Sequence, residues 1–290
     1  MDFIVFHIEG GIGKNIAATA VVSAIKKKYP LRGIVIVTAW EDVWFNNPNI
    51  FRVYTFGNSP YFYEDIVKGR DTIVMMHNPY HCTEHIYNKH HLIQTWCNLF
   101  DIPYSGEKPE LYLTPRELDY VNKSLVSQFN KPILIIQPNG GDNNDIPYSW
   151  ARDIPFNVSQ KIVDKLSLDY AVLQIKRENQ PALVGATPIT LPIRHIFCLL
   201  TFSRKRLLID SFCQHAAAAL ELPSTVTWIV NSPNVYGYDI HNNIISDVEE
   251  RYKTTKYSYL SPFNITGSIN EYPYDTNNIL DVDKILDSLV

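Results

Sequence analysis

Cysteine is scarce in this chain: four in 290 residues, at Cys82, Cys97, Cys198 and Cys213. None forms the CxxC pair that zinc ribbons and dithiol redox sites use, so neither function is read from them. Three of the four lie in apolar or helical-looking stretches, where reduced, buried thiols are common. Charge is also sparse and nearly balanced, at 19% charged residues and a formal net charge of −4. That balance excludes a strong global pull toward nucleic acid or anionic lipid and leaves only local basic patches. The basic runs Lys26–Lys28 and Arg204–Arg206 are short and read as solvated helix ends or loops. Long hydrophobic runs are missing: none approaches the ~20 residues of a membrane span. The opening Met1-Asp2-Phe3-Ile4-Val5 lacks the basic start and apolar core of a signal peptide. A reduced, cytoplasmic setting is the expectation.

What the chain does have is apolar content, 46% of residues, with nothing in the composition of a disordered segment. At this length two α/β domains are expected, each with its own core. Phe3–Ile8 reads as a buried strand that ends in Glu9-Gly10-Gly11-Ile12-Gly13-Lys14-Asn15, and Ile16–Lys28 follows with helical spacing. Gly33–Thr38, Val53–Phe56 and Thr72–Met76 read as further strands, and His90–Phe100 and Arg116–Phe129 as helices. A new cycle starts at Ile133–Gln137 and continues through helix Ser159–Leu166, strand Tyr170–Ile175 and helix His195–Phe202. Strand Arg206–Ile209, helix Asp210–Leu220 and strand Ser224–Ile229 complete it. This βαβ rhythm predicts an α/β fold of two Rossmann-like domains facing a cleft. The expected boundaries are 1–130 for the first domain, 131–278 for the second, and a terminal helix over 279–290 that packs back on the first. In open parallel sheets a ligand lies beyond the carboxyl ends of the strands.

Three strand ends carry candidate chemistry. Glu9–Asn15 joins strand to helix through glycines that let the backbone turn sharply, with free N–H groups at the helix start. It is neither a Walker A loop, since Asn15 stands where Ser or Thr is needed, nor a GxGxxG turn. A plain tight turn and a ligand loop both fit it. Pro138-Asn139-Gly140-Gly141 with the polar Asp142–Asp145 is the matching junction of the second half. Asp210-Ser211-Phe212-Cys213-Gln214-His215 opens an Ala-rich helix after an apolar strand. Asp and Ser suit helix capping, and the same residues with His215 suit a phosphate seat. His81, His85, His90 and His91 cluster without carboxylates other than Glu84, so they are read as structural or surface-exposed and no metal site is expected. The Tyr-, Asn- and Pro-rich stretch Tyr252–Asn278 offers stacking surfaces for sugars or bases, or simply cover for apolar surface.

Taken in order, these segments resemble glycosyltransferase family 9, the heptosyltransferase-like family of the GT-B fold. The resemblance runs along nearly the whole chain: the Gly10–Gly13 loop and its helix, Asn46-Asn47-Pro48-Asn49-Ile50-Phe51-Arg52-Val53, Lys108–Leu113, and Gln137–Gly141. Its most specific part is Asp210–Leu222 with Pro223-Ser224-Thr225-Val226. The resemblance implies an inverting, metal-independent transfer of a sugar from a nucleotide-diphosphate sugar to an acceptor hydroxyl. The nucleotide-sugar is then a co-substrate, with no separate cofactor. It places the donor on the second domain, near Asn139, Gly140, Gly141, Arg152, Glu178, Asp210, Ser211 and His215. It places the acceptor, a saccharide or glycolipid, on the first, along Gly10, Gly11, Gly13, Asp42 and His77.

Two departures bear on mechanism. Where the family commonly carries an Asp general base after its first Gly loop, this chain has Lys14, and an ammonium of ordinary pKa is no base. Glu9 is the substitute, with His7, Asp42 and His77 behind it, and Lys14 is then the group that steadies negative charge. Phe212 stands in place of a glycine in the second signature. Two other readings stay open. One is a bacteriophage-type enzyme acting on hydroxymethylated bases in DNA, inside a phage-infected host cell. The other is a non-catalytic nucleotide-sugar or glycan-binding protein.

Overall fold

Strands and helices alternate along the chain in a computed structural model that describes residues 1–140, 149–249, 272 and 274–289. Two compact units form, Met1–Leu113 and Thr114–Val290. The first contains β1 (Phe3–Ile8), α1 (Ile12–Lys28), β2 (Gly33–Thr38), β3 (Arg52–Thr55), β4 (Thr72–Met75), α2 (Thr83–Ile86) and α3 (Leu92–Leu99). Its sheet has the order β3-β2-β1-β4, every neighbour parallel, with Phe3 opposite both Gly33 and Thr72. The runs Phe-Ile-Val-Phe and Gly-Ile-Val-Ile are buried, as central parallel strands require. α1 is buried from Lys14 to Val22, where alanines allow close approach to the sheet, and Lys26, Lys27 and Lys28 complement its C-terminal partial charge. Strand order reverses at β1, so the ends of β1 and β4 flank the switch point of this sheet.

The second unit contains α4 (Pro115–Ser124), β5 (Ile133–Ile136), α5 (Phe156–Leu166), β6 (Ala171–Ile175), β7 (Thr187–Ile189), α6 (Ile193–Phe202) and β8 (Lys205–Ile209). It continues with α7 (Phe212–Ala219), β9 (Thr225–Trp228), α8 (Pro233–Tyr236), β10 (Asn242–Ile245) and α9 (Val282–Asp287). Its six parallel strands run β10-β9-β8-β5-β6-β7, the doubly wound order of dinucleotide-binding sheets. The switch point lies between β5 and β8. Leu134, Ile136, Val158, Ile162, Leu207, Ile209 and Ile229 form the core beneath it.

The second unit begins just before α4, at Thr114. A capping box explains the start of α4: Thr114 Oγ1 accepts from the Glu117 amide at 3.2 Å, and Glu117 Oε2 accepts from the Thr114 amide at 2.8 Å. Such a cap is worth ~1 kcal/mol. The same carboxylate accepts from Arg194 Nε at 2.5 Å and Nη2 at 2.9 Å, which binds α4 to α6. α9 falls within the second unit. Ile285 and Leu289 join the second core, and the Thr225 hydroxyl donates to the Ser288 carbonyl at 2.7 Å. β7 and β10 were not expected from the sequence. β7 carries Pro188, which a strand tolerates at a sheet edge, and β10 begins with two asparagines that read as loop.

Candidate functional site

At the first switch point the chain leaves β1 through Glu9-Gly10-Gly11 and enters α1 at Ile12, four residues earlier than the periodicity suggests. Gly13 and Lys14 are therefore in the first turn of the helix, not in the loop. Gly10 has φ +102, and a Cβ there would stand 3.0 Å from Lys14 Cδ, so conformation and space both call for glycine. Gly11 is the N-cap and offers no side-chain cap. Lys14 is 7% exposed. Its Nζ donates to Asn78 Oδ1 at 2.9 Å, on the loop after β4, and lies 4.7 Å from the Tyr80 ring centre and 5.4 Å from that of Trp96. Among the described residues no carboxylate reaches ion-pair distance of this ammonium. Burial lowers its pKa to about 8, with the charge of Glu9 opposing the shift.

The other acceptor-side candidates are spread around this point. Glu9 is exposed at the end of β1. His77 is exposed after β4, its ring 6.3 Å from Phe100. Asp42 lies in the single turn Glu41–Val43 that follows β2, one strand away from the switch. His7 is half-buried within β1, 4.9 Å from the Phe56 ring. His85 packs on Tyr80 at 4.8 Å, and burial, then the charge of Lys14, lowers its pKa to about 4. Among the described residues no group of three or more His, Cys, Asp or Glu is placed to hold a metal ion. Among the described residues no helix is long and apolar enough to cross a membrane.

At the second switch point, β5 continues into Gln137-Pro138-Asn139-Gly140; Gly141 and Asp142–Asp145 lie outside the described residues. Asp153 holds this turn, accepting from the Gly140 amide at 2.8 Å and from Asn139 Nδ2 at 3.2 Å. From the other side Gln180 Nε2 donates to the Gly140 carbonyl at 2.6 Å. Arg152 lies directly on Gly140: a Cβ there would stand 2.5 Å from Nε and 2.8 Å from Cζ. Here glycine is needed for space, not for its backbone angles.

Beside it, Asp210 ends β8 and accepts from Asn231 Nδ2 at 2.5 Å. Burial raises the pKa of Asp210, opposed by the Asn231 bond and the charge of Arg152. Burial also raises that of Asp153, opposed by the Gly140 amide, Arg152 and Asn139. One guanidinium thus acts on two buried carboxylates. Ser211 is the N-cap of α7, but its hydroxyl makes no cap bond; it accepts from Gln137 Nε2 at 3.3 Å. The first turn of α7 carries no acidic residue. His215 is 6% exposed, with Nδ1 2.8 Å from the Tyr238 hydroxyl and Nε2 3.1 Å from Gln214 Nε2.

The structure therefore gathers Asn139, Gly140, Arg152, Asp210 and Ser211 around the ends of β5 and β8. His215 is one turn into α7, engaged with Tyr238. Glu178 stays in the exposed turn after β6, and Gln180, two residues on, is the side chain that reaches Gly140. Asp153, Gln180 and Asn231 are not among the site residues the sequence suggests, and Gln137 stands there only as the end of a strand and of a resembling segment. Asp153 carries a signal as the neighbour of Arg152.

No family model matches this sequence, and neither does any curated protein. Solved structures do match. A glycosyl transferase family 9 structure from Veillonella parvula DSM 2008 is similar over 99% of this chain and 95% of its own, at TM-score 0.68 and 14% identity. The ADP-heptose LPS heptosyltransferase II of E. coli is similar over 89% and 97%, at TM-score 0.61 and 13% identity. The iron-containing dodecameric glycosyltransferase TibC of enterotoxigenic E. coli H10407 is similar over 99% and 77%, at TM-score 0.63 and 13% identity. At such identities what is shared is the fold, two parallel-sheet α/β units of the GT-B type, and activity has to be argued from the site.

Proposed function

We propose that this chain is a glycosyltransferase, moving a sugar from a nucleotide-diphosphate sugar to the hydroxyl of a saccharide or glycolipid. One observation carries the reading: the second switch point joins an arginine lying on Gly140 to a helix start whose N-cap residue, Ser211, makes no side-chain cap bond. A diphosphate suits such a place, since helix amides and a guanidinium both favour its charge. The likeness to ADP-heptose-using heptosyltransferase structures points the same way.

In this reading the first amides of α7, the Ser211 hydroxyl and Arg152 hold the diphosphate. As the bond from anomeric carbon to diphosphate oxygen breaks, its electron pair goes to the diphosphate, and those groups stabilise the growing charge without a metal ion. The acceptor oxygen attacks the opposite face of the oxocarbenium-like carbon and gives its proton to Glu9, so the configuration inverts. Lys14, buried behind the same loop, steadies negative charge near the acceptor oxygen. Asp210 and Asp153 orient Arg152.

The test is a thermal-shift screen of ADP-, UDP- and GDP-sugars, followed by transfer assays on glycan acceptors and on hydroxymethylated DNA. Stabilisation by one nucleotide class and transfer to a glycan, unaffected by EDTA, are expected. Absence of binding by any nucleoside diphosphate in calorimetry would overturn the reading, and transfer to DNA alone would replace its acceptor.

A further inference from the structure

Tyr272 and Tyr274 come from the Tyr-rich stretch for which the sequence suggested sugar stacking or plain cover. Their rings, 5.7 Å apart, pack against the second core, and Tyr274 meets Trp150 edge to face at 6.0 Å. Cover alone would be served by phenylalanine. The hydroxyls do something more specific. Tyr274 donates to the Trp150 carbonyl at 2.5 Å, and Tyr272 to the Asp153 carbonyl at 3.1 Å, across 124 and 119 residues of sequence. The two acceptors bracket Arg152. Burial pushes both phenols well above their ordinary pKa, so they remain protonated donors.

Two further backbone bonds complete the fastening. The Val230 amide donates to the Ala151 carbonyl at 3.0 Å, and the Ile154 amide donates to the Pro138 carbonyl at 2.9 Å. The short segment that carries Arg152 is thus pinned from the residues just after β9, from those just after β5 and from the tyrosine pair. Of these, the tyrosines alone act through side chains that can be altered without touching the sheet. A guanidinium seated on a glycine keeps its place only as well as its backbone does, and small displacements of a charge-binding group are costly.

We propose that Tyr272 and Tyr274 are positioning residues, holding the backbone on either side of Arg152 so that its guanidinium faces Gly140 and a bound diphosphate. The proposal rests on the reading of Arg152 as a donor-phosphate group. The experiment uses the full chain with Tyr272→Phe, Tyr274→Phe and the double substitution, each also combined with Arg152→Ala. ADP, UDP and GDP are the calorimetric probes. The double substitution is expected to weaken the best-bound diphosphate ~10-fold, and to weaken it no further once Arg152 is alanine, because the tyrosines act through that side chain. An equal loss in both backgrounds, or a lowered melting temperature with unchanged affinity, would overturn the proposal in favour of a merely structural role. Hydrogen exchange at the Ile154 and Val230 amides reads the pinning without any ligand. Faster exchange in Tyr272→Phe, the milder single variant, supports it, and unchanged exchange in both single variants overturns it. If the unsubstituted protein binds none of the three diphosphates, the functional reading and the phosphate-binding role of Arg152 fail together. The exchange experiment then still decides whether the tyrosines hold the segment.

Discussion

At the first switch point one ammonium, Lys14, spans from α1 to the loop after β4, with an amide oxygen and two aromatic rings as its company. At the second, one guanidinium lies on a glycine within the field of two buried carboxylates. Each sheet, one of four strands and one of six, has its switch point beside its first strand, and the side chains placed there differ. A buried cation without a carboxylate partner loses solvation it does not recover, and its pKa falls. A cation among carboxylates is offset; the acids' own burial raises their pKa values, and the charge of Arg152 opposes that rise. The first arrangement holds an amine that is still charged at neutral pH but gives up its proton more readily than a solvated lysine; the second keeps a permanent positive charge at hand for an anion.

The largest effect is expected from removing that permanent charge. Arg152→Ala leaves Asp153 and Asp210 buried without their cation and takes away a charge-assisted contact to the diphosphate. Nucleoside diphosphate affinity should fall ~10–100-fold by calorimetry, since bonds to charged groups are worth about 1.5–3 kcal/mol. An affinity that survives would mean that the two switch points do not differ in the way described.

Next is Gly140→Ala. The new methyl meets the far end of the arginine rather than backbone, so the side chain shifts and the fold holds. About a 10-fold loss of affinity is expected, with little change in melting temperature. A large drop in melting temperature with unchanged affinity would show that Gly140 serves packing and not the site.

The third experiment concerns Lys14 and pH. Its folded pKa of about 8 lies below the ordinary 10.5, so the unfolded chain binds more protons between those values. Stability should therefore rise from about pH 8 to about pH 10.5, by an amount on the order of 2–3 kcal/mol, and be flat below pH 8 as far as this group is concerned. Denaturant unfolding across that range measures it. Lys14→Met should abolish the rise, and a rise that persists would assign it to another group.

Much of this was legible in the sequence, and what was not has a physical reason. The β-branched runs at Phe3–Ile8, Gly33–Thr38 and Ile133–Ile136 announce buried parallel strands, because such strands need apolar residues on both faces. Asp210 and Ser211 stand where an apolar strand meets an Ala-rich helix, and they flank the second switch point. Gly13, Lys14 and Asn15 look like loop in the sequence, yet α1 already includes them, because burial of Lys14 and Asn15 overrides that preference. Gln180 and Asn231 were invisible, since each reaches its partner only after strands distant in sequence lie side by side. Lys14 was visible as a departure from a family pattern, but its aromatic surroundings come from the loop after β4 and from α3.

Glu117 caps the start of α4 and also receives the guanidinium of Arg194, and the arginine bond, ahead of the cap, holds its carboxyl down to about 2. One group therefore closes two joints, and their energies cannot be counted separately. Loss of Thr114, Glu117 or Arg194 exposes the same weakness, so damage at the three sites should saturate instead of accumulating. The opening stretch of the second unit is then expected to loosen as one piece when this fastening is lost, with exchange rates rising together along α4.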